Sequence, residues 1–318
     1  MPVNKNDGQY NTTDNIKRYK LGIDGGGTKT RICAARMDGE IFAQFDAGPF
    51  NLNGQKKEMV EETFLEIRRG LAARSCLPCM CAGIGLGTAG ISNPYASLFV
   101  KEQLAALGFS CPVKLFGDHE TALAAAFESC EGIILISGTG SICYGIYGEQ
   151  TARAGGWGHL IDDKGSGYAI AADMFSAIVR SLDGRGGKTA LKPIVYDELG
   201  VADICGLIEY LYHPGRSKKE IAALAALVSR AAGQGDRAAL EIEERAAKDL
   251  YELAAAVLGQ LPRAKSVAFA GSVLMKNERI RNRLKNALLR AYPYVEICET
   301  EQDAAIGALR LLDKREKK

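Results

Sequence analysis

Residues 19–47 alternate between short apolar runs and polar breaks: "YKLGID", "RICAARM" and "IFAQFDAG" are separated by "GGGTK" and by the turn "DGE". Runs of this length bounded by Gly and Asp predict three strands, the second and third joined as a hairpin. In "QKKEMVEETFLEIRRGLAA" the apolar residues instead recur every three or four positions, which predicts a helix. Next come a buried strand running into a Gly-rich turn ("CMCAGIGLGTAG"), a helix ("YASLFVKEQLAALG"), a strand ("CPVKLFGD") and an Ala-rich helix ("HETALAAAFES"). At residue 132 the pattern restarts: "GIILISGTGSICYGIYGEQTARAG" reads as strand, Gly-rich turn and strand. A long helical stretch follows, and "SVAFAGSV", a helix, "VEICE" and "DAAIGALRLL" end the chain. The repeated order predicts an α/β protein built by internal duplication. The expected organisation is a polar tail over 1–17, a first domain over 18–118 and a second over 119–318. The second carries the helical insert and a final helix that is a candidate to pack back on the first.

Composition narrows the class without naming a partner. A chain of 318 residues with 47% apolar content is long enough for two cores. Its formal charge of +2 lacks the basic excess of a nucleic-acid surface. "MPVNKNDGQYNTTDNIKRYK" has no apolar centre for a signal peptide, and no run reaches the ~18 apolar residues of a membrane span. Nine cysteines, an odd number sitting mostly in apolar stretches, suit reduced thiols, so the expectation is a cytoplasmic protein without nucleic-acid or membrane partners. "CLPCMC" brings Cys76, Cys79 and Cys81 close in sequence, but no second Cys or His pair of matching spacing accompanies them. Alternation along a strand would turn Cys79 and Cys81 to one face.

Gly25, Gly26 and Gly27 stand between two strands. That position disfavours a dinucleotide fingerprint and a Walker loop, both of which need a helix directly after the glycines. Thr28 also precedes Lys29, where the Walker order is reversed. "SGTGS", Ser137 to Ser141, takes the same place in the second half. Either loop alone reads equally as a bare hairpin turn or as an amide cradle for phosphate oxygens; two at equivalent places favour the cradle.

Six segments in one order, "GIDGGGTKT", "GLGTAGI", "GDHETALAAAF", "ISGTGSICYG", "GGWGHLIDDKGSGY" and "AGSV", resemble the BadF/BadG/BcrA/BcrD ATPase family, and within it the N-acetylglucosamine kinase branch. This family is part of the actin-like ATPase and sugar-kinase superfamily, and the likeness runs from about Lys20 to Leu312. It implies two ribonuclease-H-like domains with a central cleft, in which Mg²⁺–ATP gives its γ-phosphoryl group to the 6-hydroxyl of N-acetylglucosamine or a related amino sugar. It also implies a homodimer. Carried onto this chain, the family's phosphate contacts fall on Asp24, Gly25, Gly26, Gly27, Thr28 and Lys29, and on Gly138, Thr139, Gly140 and Ser141. Asp24 holds Mg²⁺ through water, and Gly271 and Ser272 meet the adenosine. Asp118 is the general base, though an Asp opening a helix also reads as an N-cap. The sugar pocket falls on Asn51, Gly90, Asp118, Thr139, Gly156, Trp157 and Asp163, a set of amide, carboxylate and aromatic groups suited to a sugar's hydroxyls and C–H faces. Trp157 and His159 read also as packing residues of a loop.

"DDKGS" departs from the family's usual "GDEGS": Asp162 replaces glycine and Lys164 replaces an acid. Lys164 therefore either favours a carboxylate-bearing sugar such as N-acetylmuramic acid or simply faces solvent. Two other functions fit the same fold: an ATPase that activates a redox partner, and a sugar or nucleotide sensor without chemistry.

Overall fold

The computed structural model describes residues 18–50, 56–91, 94–300 and 303–314. The expected polar tail and Asn51 lie outside the described residues. The chain divides into two units, one of residues 1–130 with 302–318, the other of residues 131–301.

In the first unit β1 (Tyr19–Gly25), β2 (Thr30–Arg36), β3 (Ile41–Ala47), β4 (Cys81–Thr88) and β5 (Val113–Phe116) form one sheet in the order β3-β2-β1-β4-β5. β1 pairs antiparallel with β2, Asp24 opposite Arg31, and parallel with β4. Leu21, Ile23, Ile84 and Leu86 are fully buried in these central strands, as a sheet covered on both faces requires. Helix α1 (Lys57–Ala72) buries Val60, Phe64, Ile67 and Leu71, one stripe at helical spacing. α2 (Pro94–Ala106) and α3 (Asp118–Ala126) complete the local run of elements.

The second unit repeats the sheet. β6 (Gly132–Ser137), β7 (Ser141–Tyr147), β8 (Gln150–Gly155), β9 (Ser266–Ala270) and β10 (Glu296–Glu299) lie in the order β10-β9-β6-β7-β8. Taking strands in chain order within each unit, both sheets read third, second, first, fourth, fifth. Duplication, legible as a recurring pattern, is therefore present in the topology. Between β8 and β9 are α4 (Gly167–Leu182), α5 (Leu191–Leu199), α6 (Ile204–Tyr212), α7 (Lys218–Ala223), α8 (Ala225–Gly233) and α9 (Arg237–Gln260). α9 buries Leu250, Ala254, Val257 and Leu258 in the second unit's core. α10 (Ser272–Lys276) and α11 (Glu278–Ala291) follow β9.

The boundary falls after Cys130 rather than after the expected Asp118, and the last helix, α12 (Ala304–Asp313), belongs to the first unit. The reason is packing. α12 lies against α3, β1 and β4, so closely that a Cβ on Gly307 would collide with the Thr121 carbonyl oxygen and one on Gly22 with that of Ala305. Arg310 donates to the carbonyls of Ala124 and Ala125, 2.9 Å each, which satisfies the end of α3. Residues 119–130 are thereby tied to the first unit.

The cysteine expectation also needs correcting. Cys79 sits in the short turn Pro78–Met80 ahead of β4, not on the strand, so it is exposed while Cys81 is buried. Pro78, which lacks an N–H for a ladder, keeps that segment out of the sheet.

Candidate functional site

In the first unit the glycine hairpin closes on itself: the Gly26 amide donates to the Lys29 carbonyl at 3.1 Å, and the Phe50 amide to the Gly26 carbonyl at 2.8 Å. Gly25 is needed for room, since a Cβ there would strike the Phe50 ring. Buried Thr88, at the end of β4, donates its hydroxyl to the carbonyl of Gly25 at 3.0 Å. Gly90, in the turn beyond, has φ +79°, a conformation glycine adopts without cost. Gly27, Thr28 and Lys29 are exposed at the hairpin tip, and Lys29 is paired with Asp46 on β3 at 2.9 Å.

Asp24, the residue before the last of β1, is partly buried, and its carboxyl is pushed up to about 7. Burial is the main cause; the charges of Asp118 and Asp303 add to it, and Lys29 opposes it. Asp24 thus feels the charge of two other carboxylates of the first unit. Asp303, which sequence reasoning missed, caps α12 through the Ala305 amide at 3.1 Å and accepts from Arg31 Nε at 2.6 Å. The signal for it was present as an Asp opening the final helix.

Asp118 is the first residue of α3, but the cap is Gly117, whose amide donates to Glu120 Oε2 at 2.6 Å. The carboxylate of Asp118 is therefore not needed to cap the helix. Its Oδ1 accepts from the His119 amide at 3.0 Å and lies 3.4 Å from His119 Nδ1. Partial burial works to raise its carboxyl; the His119 hydrogen bonds and charge outweigh that and hold it below the ordinary carboxylate range.

In the second unit the "SGTGS" hairpin closes through the Gly138 amide to the Gly140 carbonyl at 2.9 Å. Ser137 and Ser141 donate their hydroxyls to the carbonyls of Gly165 and Lys164, at 2.8 and 2.7 Å. These bonds lash the hairpin to the loop that precedes α4, and Gly140 lies against the Asp163 carboxylate. Gly271, with φ +91°, approaches the Ser137 backbone, and Ser272 lies next to Gly138. Gly138, Thr139, Gly140, Ser141, Asp163, Gly271 and Ser272 are thus brought into one neighbourhood.

Asp163 is 3% exposed and holds φ +60°, a left-handed conformation that Asp tolerates better than most residues. Its partner is Lys218, the first residue of α7, at 2.6 Å. Sequence reasoning missed Lys218, because a Lys fifty-five positions away in a helical insert carries no local signal. Ahead of Asp163, Gly155, Gly156 and Gly158 all have positive φ and shape a loop around Trp157, whose side chain is largely exposed. Arg153 donates to the Gly156 carbonyl at 2.7 Å and stacks its guanidinium 4.1 Å from the Trp157 ring centroid. One face of the indole is thereby backed by a cation. His159 packs edge-on against Tyr168 at 4.6 Å. Lys164 points elsewhere than the hairpin: with Asp173, Arg245 and Asp249 it lines a cavity of about 270 Å³, and its charge acts on Asp249.

Two duplicated sheets, each with a glycine hairpin between its first two strands, define an actin-like sugar-kinase fold. The family model for the BadF/BadG/BcrA/BcrD ATPase family matches residues 21–311, and the chain belongs to that family. It is 37% identical over 297 residues to an N-acetylmuramic acid/N-acetylglucosamine kinase of Clostridium acetobutylicum, with 92% of this chain and 97% of the relative covered. It is 28% identical to an N-acetyl-D-glucosamine kinase of Dictyostelium discoideum, covering 93% and 98%. The crystal structure of a proposed N-acetylglucosamine kinase from Chromobacterium violaceum superposes with a TM-score of 0.78 at 28% identity, covering 93% of this chain and 99% of that one.

Proposed function

We propose that the chain is an ATP-dependent amino-sugar kinase that transfers the γ-phosphoryl group to the 6-hydroxyl of N-acetylglucosamine and of its lactyl ether, N-acetylmuramic acid. The observation that carries this is Asp118: a carboxylate that is not the N-cap of its helix, half exposed, and held ionised by His119, in electrostatic contact with Asp24. An ionised carboxylate that accepts a hydroxyl proton as the phosphoryl group arrives is what this transfer asks of the protein, the remainder being positioning and charge neutralisation.

This reading carries over the roles that the family resemblance implies. Backbone and hydroxyl groups of residues 24–29 and 138–141 hold the phosphates, Gly271 and Ser272 leave room for the adenosine, and Trp157, Gly156, Thr139, Gly90 and Asn51 hold the sugar, with Asp163, expected from sequence as a direct contact but buried against Lys218, acting through that lysine. Mg²⁺ fits this donor set. Asp24, raised to about 7 by burial and by Asp118 and Asp303, is a carboxylate that a nearby cation would relieve. Among the described residues no three His, Cys, Asp or Glu side chains gather as a metal cage, which suits an ion bound through water and phosphate oxygens. The ion supplies charge neutralisation on the phosphates. The same reading carries a homodimer in the cytoplasm, with no nucleic-acid or membrane partner; no helix among the described residues is long and apolar enough to cross a membrane.

The test is ADP release with Mg²⁺–ATP across a panel of N-acetylglucosamine, glucosamine and N-acetylmuramic acid, beside Asp118→Asn. Sugar-dependent turnover that falls by a factor on the order of a thousand or more in a folded variant supports the reading. ADP release independent of every sugar would sink it.

A further inference from the structure

The Lys218–Asp163 pair is asymmetric. Asp163 is shut in at 3% exposure beneath the second hairpin, whereas the Lys218 side chain keeps 29% of its surface open. A buried carboxylate needs a cation, and this accounts for the 2.6 Å contact. It does not account for the ammonium's full capacity, since the group has three donors and the bond to Asp163 uses one. Asp163 also occupies a left-handed conformation and leans on Gly140, so the pair is anchored where the hairpin and the Trp157 loop meet. Strain held at such a point is a mark of functional geometry.

Two lysines are adjacent to this loop, and the structure separates them. Lys164 directs its charge to Asp249 in the cavity shared with Asp173 and Arg245. Lys218 directs its charge to Asp163. Of the two, Lys218 on the insert helix α7 is the lysine bonded to Asp163, while Lys164 lines the cavity with His159, Asp162, Asp173, Arg245 and Asp249. The capping box of α7 fixes that end of the helix: Ser217 Oγ accepts from the Glu220 amide at 3.3 Å, and Glu220 accepts from the Ser217 amide at 2.8 Å.

We propose that Lys218 is a specificity-determining residue of the sugar site, whose ammonium, steadied by Asp163, takes up a carboxylate carried as a substituent on the amino sugar. This rests on the kinase reading above. Toward a neutral sugar the Lys218–Asp163 pair presents cancelling charges and offers only hydrogen bonds. Toward N-acetylmuramic acid the outer face of the ammonium meets the lactyl carboxylate, and a charge-assisted bond forms without uncovering Asp163. The device discriminates by attraction to an acid, not by closing the pocket to the neutral sugar.

The experiment measures kcat and KM for N-acetylmuramic acid and N-acetylglucosamine with the unaltered protein, Lys218→Met, Lys218→Arg and Lys164→Met, with melting temperatures to confirm folding. Lys218→Met is expected to lower the ratio of kcat/KM for the acidic over the neutral sugar by about tenfold or more, chiefly through KM. Lys218→Arg should restore most of that ratio, and Lys164→Met should leave it unchanged. An equal loss for both sugars would mean that Lys218 only neutralises Asp163, and an unchanged ratio would mean that another group selects; either overturns the proposal. If Lys218→Met fails to fold, Lys218→Gln and the arginine variant carry the same comparison. Turnover of N-acetylglucosamine but not N-acetylmuramic acid by the unaltered protein overturns this inference alone, while turnover of neither overturns the kinase reading beneath it.

Discussion

Arg31 on β2 donates from Nε to Asp303 Oδ2 at 2.6 Å, joining the strand after the first glycine hairpin to the helix that ends the chain, 272 residues later. The same guanidinium reaches Asp46 on β3 at 3.0 Å, so one side chain links two strands and α12 within the first unit. Asp303 in turn caps α12. Asp303→Ala is expected to lose the cap, about 0.5–2 kcal/mol. Asp303→Asn retains an acceptor and should recover most of that stability. Urea unfolding of the two variants checks the difference.

Asp24 gives the stability a definite pH dependence. Its ordinary value is 3.8 and its folded value about 7, so the folded state binds the proton more tightly than the unfolded chain. The resulting contribution is fully present below the lower value and is lost as pH rises through the higher one. The melting temperature without nucleotide should therefore fall between about pH 4 and about pH 7, and Asp24→Asn should flatten that slope while abolishing turnover. Asp118 has the opposite sign: its carboxyl is lowered, so its contribution is present at neutral pH and disappears only in acid. Parallel slopes for the parent and Asp24→Asn would refute the assignment to Asp24.

Glycine in α12 is a packing requirement. A Cβ on Gly307 would meet the Thr121 carbonyl at well under contact distance, so Gly307→Ala should destabilise by about 1–3 kcal/mol or more. Gly259, inside α9, has nothing within 4 Å of the corresponding position. There the same substitution should stabilise by roughly 0.5–1 kcal/mol through helix propensity. Thermal melts of the pair report opposite signs if the packing account holds.

Glu243 in α9 is 1% exposed and accepts from Asn277 Nδ2 at 2.7 Å and Arg279 Nε at 2.8 Å. Asn277 also caps α11 through the Ile280 amide. Glu243→Ala should cost about 3–5 kcal/mol, the range for stripping one partner from a buried pair. Arg279 is half open to water and can rehydrate, which places the value near the lower end. Denaturant midpoints at constant slope measure it.

Trp157 presents an indole backed on one face by Arg153 and largely exposed otherwise. If the open surface is the platform for the sugar's C–H face, Trp157→Ala should raise KM for the sugar by about tenfold while changing KM for ATP much less. Steady-state kinetics with each substrate varied in turn gives both values.

Local pattern was enough for much of this architecture. Apolar runs bounded by Gly and Asp marked β1, β2 and β3, helical spacing marked α1, and the recurrence of a glycine turn between two strands marked the duplication, because strand period, helix period and turn chemistry are properties of neighbouring residues. The same locality made Asp24, Asp118, Gly138 and Trp157 legible as candidates. Tertiary structure alone decided the rest. It assigned α3 to the first unit and fixed there the final helix α12, which the sequence had offered as a candidate to pack back, since Gly307 and Gly22 allow backbones to touch across nearly the whole length of the chain. It moved the cap of α3 from Asp118 to Gly117, leaving the carboxylate to His119. It sent the charge of Lys164 to Asp249 and brought Lys218 to Asp163 in its place. Sequence specifies which groups the chain carries and how each segment bends; which charge meets which depends on long-range packing, and that packing is what turns a scattered list of residues into a site.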